Sequence, residues 1–232
     1  MRLNVYISHA GFCSRRKADE LIKAGEITIN HMPQLKPSYQ VQEKDTVRHK
    51  KEVIVLKNAH PVYVVLNKPE GAVTSAEDEK GRVTVLDLVA PIRARLFPIG
   101  RLDIKTTGIL LLTNDGELTH KLAHPKFEAK KIYQVTLSHD LSDEHFQKIE
   151  KGIFLKDGPL KVDAITRAPK RNSVRVTIHS GKNRIVRRIF ESMGYTIIKL
   201  DRTSFAGISK RGLLTGKWRY LTPKEIEKLK AL

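Results

Sequence analysis

Cysteine is almost absent: Cys13 is alone among 232 residues, which excludes an internal disulfide and any four-cysteine metal site. A reducing compartment, the cytoplasm, is the expected setting. No uncharged run approaches the roughly 20 residues of a membrane-spanning helix, and Met1-Arg2-Leu3-Asn4 opens no signal-peptide apolar region. No basic helix carries an aromatic apolar face, so a membrane surface is not the expected partner. Gly71 and Gly81 are too isolated to form a G-x-G-x-x-G loop, which removes a nucleotide-cofactor methyltransferase. Low-complexity tracts and internal repeats are also missing. Acid is the scarce charge, with 25 Asp+Glu against 43 Lys+Arg and a net charge of +18.

What is present is a chain long enough for two modest domains, 40% apolar and able to fill real cores. The charge is spread, +5 within residues 1–60 and +13 in the remainder. This is no sticky tail on a neutral protein, and a phosphate polymer is the natural partner. Ser14 is placed to cap a helix over Arg15 to Ala24, stopped by Gly25. Arg15, Arg16 and Lys17 crowd its first turn, where the helix dipole disfavours cations. Phosphate contact and a solvated surface turn are both open readings of them. A strand at Glu26 to Asn30, a turn at His31-Met32-Pro33 and a strand pair around Val41 and Asp45-Thr46-Val47 follow.

Lys57 to Pro61 reads as a linker. Beyond it, Val62 to Leu66 reads as a strand, Asn67 to Gly71 as a turn and Thr84 to Val89 as a short helix. Ile109 to Leu112 is a buried strand, and just ahead of it a loop between Gly100 and Gly108 presents Asp103 between Arg101 and Lys105. A carboxylate flanked by cations keeps its charge, as a nucleophile must. Taken alone, the commoner fate of such an aspartate is a turn residue in a solvated salt bridge. Glu117 to His124 and Asp140 to Ile153 read as helices. Lys131 to Leu137 alternates as a strand, with Tyr133 sharing a face with Val135 and Leu137.

Residues 164–190 hold eight Lys and Arg and no acid. A strand at Val174 to Ile178 leads through a turn to a helix from Arg184 to Met193. Arg184, Arg187 and Arg188 lie at i, i+3 and i+4 and repel one another unless an anion sits among them. Thr196 to Asp201 reads as another strand, and Thr222-Pro223-Lys224-Glu225 as a capping box opening a last helix.

Two resemblances organise these fragments. Leu3 through Val47, with A-G-F-C-S-R-R-K-A-D-E-L-I-K-A-G-E-I-T-I-N and V-Q-E-K-D-T-V, resembles the small αL RNA-binding module first described in a ribosomal small-subunit protein. It departs at His31, where the family commonly has glycine. From Pro61 to about Glu227 the chain is similar to pseudouridine synthases of the RsuA/RluB/RluE/RluF type. The match is carried by G-R-L-D-I-K-T-T-G-I-L-L-L-T-N-D-G-E-L at 100–118, K-K-I-Y-Q-V at 130–135 and G-K-N-R-I-V-R-R-I-F at 181–190. An α+β fold is implied: an RNA-binding domain at 1–58, then a catalytic domain at 61–232 with a mixed, mostly antiparallel sheet and flanking helices.

The resemblance also implies roles. Asp103 becomes the nucleophile, attacking either the ribose C1′ or the uracil ring, and Arg187 its basic partner. Tyr133 matches the tyrosine that stacks on the target base and is implicated in removing the C5 proton. Leu200 corresponds to the apolar residue under the flipped base, and Arg101 to the residue that fills the gap left in the RNA. Lys68, Arg184 and Arg188 are the further substrate contacts expected, and Arg15, Arg16, Lys17 and Lys23 the RNA contacts of the front module. No metal or cofactor is expected. The expected partner is ribosomal RNA, bound by a monomer. The C-terminal R-T-S-F-A-G-I-S-K-R-G-L-L-T-G-K-W-R-Y-L-T-P-K-E-I is closer to RluB-like members, which act on large-subunit rRNA, with small-subunit rRNA as the alternative. A non-catalytic rRNA-binding or assembly factor is the rival reading from another class.

Overall fold

Two short helices, α1 (Leu3–His9) and α2 (Arg15–Lys23), open the chain. Ser14 caps α2 by accepting the Lys17 backbone N–H at 3.2 Å. Ala18 and Ile22 of α2 turn inward onto a small core with Leu3, Ile7, Ile27 and Val47. Four strands complete this unit in the order β2-β1-β3-β4: β1 (Ile27–Ile29), β2 (Met32–Pro33), β3 (Val47–His49) and β4 (Glu52–Val53). The turn expected at His31 to Pro33 lies one residue earlier, because Met32 already pairs with Ile29. Asn30 and His31 make it with φ of 51° and 70°, so His31 holds a left-handed backbone that costs a side-chain-bearing residue about 1 kcal/mol. The pair expected around Val41 does not form. Gln40 bridges Arg2 alone, and the hairpin is β3–β4.

The structure is a computed structural model describing residues 1–56, 60–75 and 78–232. It divides into two compact units, 1–60 and 61–232; of the expected linker, residues 57–59 lie outside the described residues. The second unit is built on a nine-stranded sheet. Its strands are β5 (Tyr63–Lys68), β6 (Phe97–Pro98), β7 (Thr106–Thr113), β8 (Lys131–Leu137), then β11 (Ala164–Arg167), β12 (Ser173–Ile178), β13 (Ile197–Phe205), β14 (Ile208–Ser209) and β15 (Trp218–Tyr220), while β9 (Ile153–Leu155) and β10 (Gly158–Leu160) form a separate hairpin. The order is β11-β12-β8-β13-β7-β5-β15, with β6 on β7 and β14 on β13. Every pairing is antiparallel except β13 with β7. Helices α3 (Gly116–Ala123), α4 (Asp143–Lys151), α5 (Ile185–Glu191) and α6 (Pro223–Lys230) flank it.

The patterning of the strands explains how the sheet is covered. β5 and β7 carry unbroken apolar runs because both faces are buried: Val64, Leu66, Leu110 and Leu112 enter one core, and Tyr63, Val65, Ile109 and Leu111 the other. β8 and β12 alternate instead. Tyr133, Val135, Leu137, Val174, Val176 and Ile178 face the first core, and their neighbours face away from it. Helix ends obey local chemistry: Asp115 caps α3, Ser142 caps α4, and Thr222 with Glu225 forms the capping box of α6. Ser142 also corrects the expected start of α4, and Ile153 leaves the helix to begin β9. Asn67 and Lys68 belong to β5 rather than to a turn, paired with Ile109 and Gly108. The segment near Thr84 is a single 3-10 turn at Asp87–Val89.

Candidate active site

The loop from Gly100 to Thr106 is fixed from two sides. Thr74 Oγ1 donates to the Leu102 carbonyl at 2.8 Å, and the Gly71 N–H to the Ile104 carbonyl at 2.9 Å. Beneath it lies Lys68, 0% exposed, whose ammonium donates to the carbonyls of Pro69, Asp103, Ile104 and Thr106 at 2.9–3.3 Å. Burial lowers its pKa to about 8, against the pull of Asp103 and Glu70. This placement corrects the expectation that Lys68 contacts substrate. It is a positioning residue that ties the strand before the loop to the backbone of the loop itself.

So held, the Asp103 side chain is 39% exposed and lines a cavity of about 450 Å³. Its Oδ2 lies 3.4 Å from Arg187 Nε and 3.5 Å from Arg184 Nη1. Arg187 comes from the first turn of α5, and its side chain is 11% exposed. Its Nη2 reaches Thr106 Oγ1 at 3.4 Å, so the guanidinium bridges the aspartate and the strand that follows it. The Nε–H is buried and not aligned as a hydrogen bond to any group. The contact with Asp103 is therefore an ion pair with hydrogen-bonding capacity in reserve.

The three arginines do not share one anion as their spacing suggested. Arg184 is not helical; it precedes α5 with φ 47°, and it also pairs with Glu191 at 3.2 Å. Arg188 is absent from the cavity wall and is bound to Asp157, which Lys182 also approaches at 3.3 Å. The substrate contact expected of Arg188 is corrected accordingly. The repulsion is relieved by three separate carboxylates, Asp103, Asp157 and Glu191.

Tyr133 and Leu200 reach the cavity from adjacent strands, with Arg202 opposite Tyr133 and Leu200 opposite Val135 in the register. Arg101 stands at its rim, exposed. Asp103, Arg187, Tyr133, Leu200, Arg101 and Arg184 thus meet in one cavity although 99 positions separate the first and last of them in sequence, from Arg101 to Leu200. Three further cations line it that sequence reasoning did not assign to the site: Lys182, which also approaches Asp157, and the pair Arg202 and Lys131. Arg202 is 2% exposed and donates from Nε to the Ile109 carbonyl at 2.7 Å. Lys131 donates to the carbonyls of Ala129 and His179, and burial beside Arg202 lowers its pKa to about 8. Lysine and arginine within strands carry no local signal of burial, and only the crossing of β8 with β13 encloses them. In the first unit, Arg15, Arg16, Lys17 and Lys23 are all exposed on α2, Lys17 with Glu20 at 3.1 Å. Among the described residues, no cluster of three or more His, Cys, Asp or Glu could hold a metal ion.

Chemically, the cavity offers an oriented carboxylate, an aromatic wall, an apolar floor and a cationic surround, which suits a flat heterocycle attached to a polyanion. Comparison with known proteins agrees. The RNA pseudouridylate synthase family matches residues 62–192, and the S4 domain family matches residues 1–47. A protein named ribosomal large subunit pseudouridine synthase B from Bacillus subtilis is 43% identical, covering 100% of this chain and 96% of its own. An uncharacterised RNA pseudouridine synthase from Aquifex aeolicus is 34% identical, with 100% and 97% covered. A crystal structure of a pseudouridylate synthase superposes with a TM-score of 0.70 at 29% identity, over 99% of both chains.

Proposed function

Because the chain belongs to the RNA pseudouridylate synthase family, we propose that it isomerises one uridine of ribosomal RNA, in the large subunit, with Asp103 as nucleophile. The supporting observation is the Asp103 carboxylate, open to a cavity walled by Tyr133 and Leu200 and paired with Arg187 at 3.4 Å. In the reaction the N1–C1′ bond breaks and a C5–C1′ bond forms. The proton leaves C5, and N1 ends protonated. Bond count and charge balance without a redox partner, so no cofactor is required. Asp103 can carry the intermediate through C1′ or through the uracil ring, and either route needs its oxygen ionised and fixed, which the guanidinium of Arg187 favours.

The base reaches this cavity only by leaving its stack, at a cost of a few kcal/mol. Tyr133 and Leu200 replace the lost stacking, Arg101 fills the space vacated in the RNA, and Arg184 steadies the nucleophile and the incoming phosphates. The S4 domain contributes the exposed cations of α2 as a second hold on the RNA. The large subunit is favoured by the Bacillus subtilis relative, which is named a large-subunit synthase and matches the whole chain. The enzyme acts as a monomer in the cytoplasm.

The test incubates the protein with unmodified rRNA of each subunit and maps pseudouridine by reverse-transcription stops after carbodiimide treatment. One new stop in large-subunit rRNA is expected, abolished in Asp103→Asn while RNA binding persists. A stop in small-subunit rRNA alone would reassign the substrate. No stop in either, with assembly intermediates included, would leave an RNA-binding factor.

A further inference from the structure

The acid-free stretch at 164–190 is only half accounted for by the cavity: Lys182, Arg184 and Arg187 line it, whereas Lys170 and Arg175 do not. Those two lie on the opposite side of the sheet. Residues of β8 and β12 alternate, and the face turned away from the first core carries Gln134, Thr136, Ser173 and Arg175. Lys199 and Asp201 of β13 continue it. The register places Arg175 opposite Gln134 and Gln134 opposite Asp201, with Thr136 opposite Lys199. This face forms a groove of about 550 Å³, open along four strands, whose far wall is the β11–β12 turn bearing Lys170.

Its charge is one-sided. Among the described residues Asp201 is the only acid lining it, and that carboxylate is bound to Lys210 and to Thr107 Oγ1 at 2.7 Å. Arg167 is likewise engaged, with Asp143 and the Leu141 carbonyl. Lys170, Arg175 and Lys199 are exposed, and none of their side chains has an ion pair or hydrogen bond among the described residues. A groove with hydroxyl and amide groups on its floor, three uncommitted cations and no aromatic ring suits a phosphodiester backbone rather than stacked bases.

We propose that this groove is a second RNA-binding track, which takes the sugar-phosphate backbone of a segment distant from the target uridine. It rests on the reading of the protein as an RNA-modifying enzyme. The sheet separates the two sites: Tyr133 and Leu200 line the cavity, whereas the adjacent Gln134 and Asp201 line the groove. The strand of RNA entering the cavity cannot also lie in the groove, so the occupant is a neighbouring helix or single strand of a folded RNA. A short stem-loop around the uridine would leave it empty.

The experiment compares wild type with Lys170→Ala/Arg175→Ala/Lys199→Ala on two RNAs, a minimal stem-loop and a long folded fragment, measuring binding across salt concentration and isomerisation on each. Loss of three phosphate contacts should lower the slope of log K against log salt by about 2–3 on the long RNA. Binding of it should weaken at least tenfold at low salt, with no change on the stem-loop. Circular dichroism and the intact stem-loop activity report that the variant is folded. Equal losses on both RNAs would overturn the proposal, since the cations would then serve the cavity's own strand. An unchanged long-RNA slope would overturn it too, whether the face is bare or docks an acidic protein. Failure of the functional reading looks different: RNA binding would respond as described while neither RNA was isomerised.

Discussion

Replacing Gly108 by alanine should nearly unfold the catalytic unit. Gly108 pairs with Arg202 across the one parallel seam of the sheet and with Lys68 on its other side. An added Cβ would lie 2.2 Å from the Arg202 carbonyl oxygen, 2.6 Å from its nitrogen and 2.8 Å from its carbonyl carbon. All three are backbone atoms, so no rotamer relieves the overlap. The seam must open by about 1 Å to reach ordinary contact. The left-handed φ of 106° adds about 1–2 kcal/mol for a residue with a Cβ. Overpacking contributes about 1–3 kcal/mol, and disturbance of the buried bond from Arg202 Nε to the Ile109 carbonyl about 1.5–3 kcal/mol. The sum, about 3.5–8 kcal/mol, is comparable to the whole stability of many domains. Gly194→Ala is the control, because its φ is 83° but nothing lies within 4 Å of the added carbon; it should lose only about 1–2 kcal/mol. Urea unfolding followed by the fluorescence of Trp218, which sits in β15 of this unit, measures both. If Gly108→Ala unfolds within 1 kcal/mol of Gly194→Ala, the seam is looser than the geometry requires and the reasoning fails.

Two other perturbations probe the site. Arg187→Met should cut kcat by about 10²-fold or more with a smaller change in KM, since a nucleophile left to drift by 1 Å loses about that much; a variant with kcat near wild type would show that Arg184 alone suffices. Lys68 offers a pH test. Below about pH 8 its ammonium is charged in both folded and unfolded chains, and the burial cost is constant. From about 8 up to 10.5 the folded chain has released a proton that the unfolded chain still holds, so folding gains stability as pH rises. Wild type should therefore gain about 2 kcal/mol on Lys68→Met between pH 8 and pH 10. A difference in unfolding free energy that stays flat across this window would refute the buried cation.

Much of the architecture was legible from residue order. The strand Lys131–Leu137 and the helix starts at Ser14 and Thr222 follow from alternation and capping, which are local effects. The apolar run after Gly108 announced a buried strand. The resemblance of residues 100–118 marked Asp103, which residue chemistry alone would have left as a salt-bridged turn. The expectations that failed are the ones where a distant segment decides. Lys68 read as part of a polar turn, yet it lies in a central strand because three carbonyls of a loop about 35 residues away receive its ammonium. Arg188 read as one of three stacked arginines, yet Asp157, delivered by the β9–β10 hairpin, draws it off the cavity.

The sequence by itself determined what lies in each segment: helices from their caps, strands from their period, a basic chain from its composition, and a candidate nucleophile, Asp103, from its motif. Tertiary structure decided which cations meet that aspartate and which lie behind the sheet. Period-2 alternation sends Tyr133 and Gln134 to opposite faces, but only the pairing of β8 with β12 and β13 makes one face a cavity and the other a groove. Pairing joins residues far apart in the chain, and so no local pattern contains it.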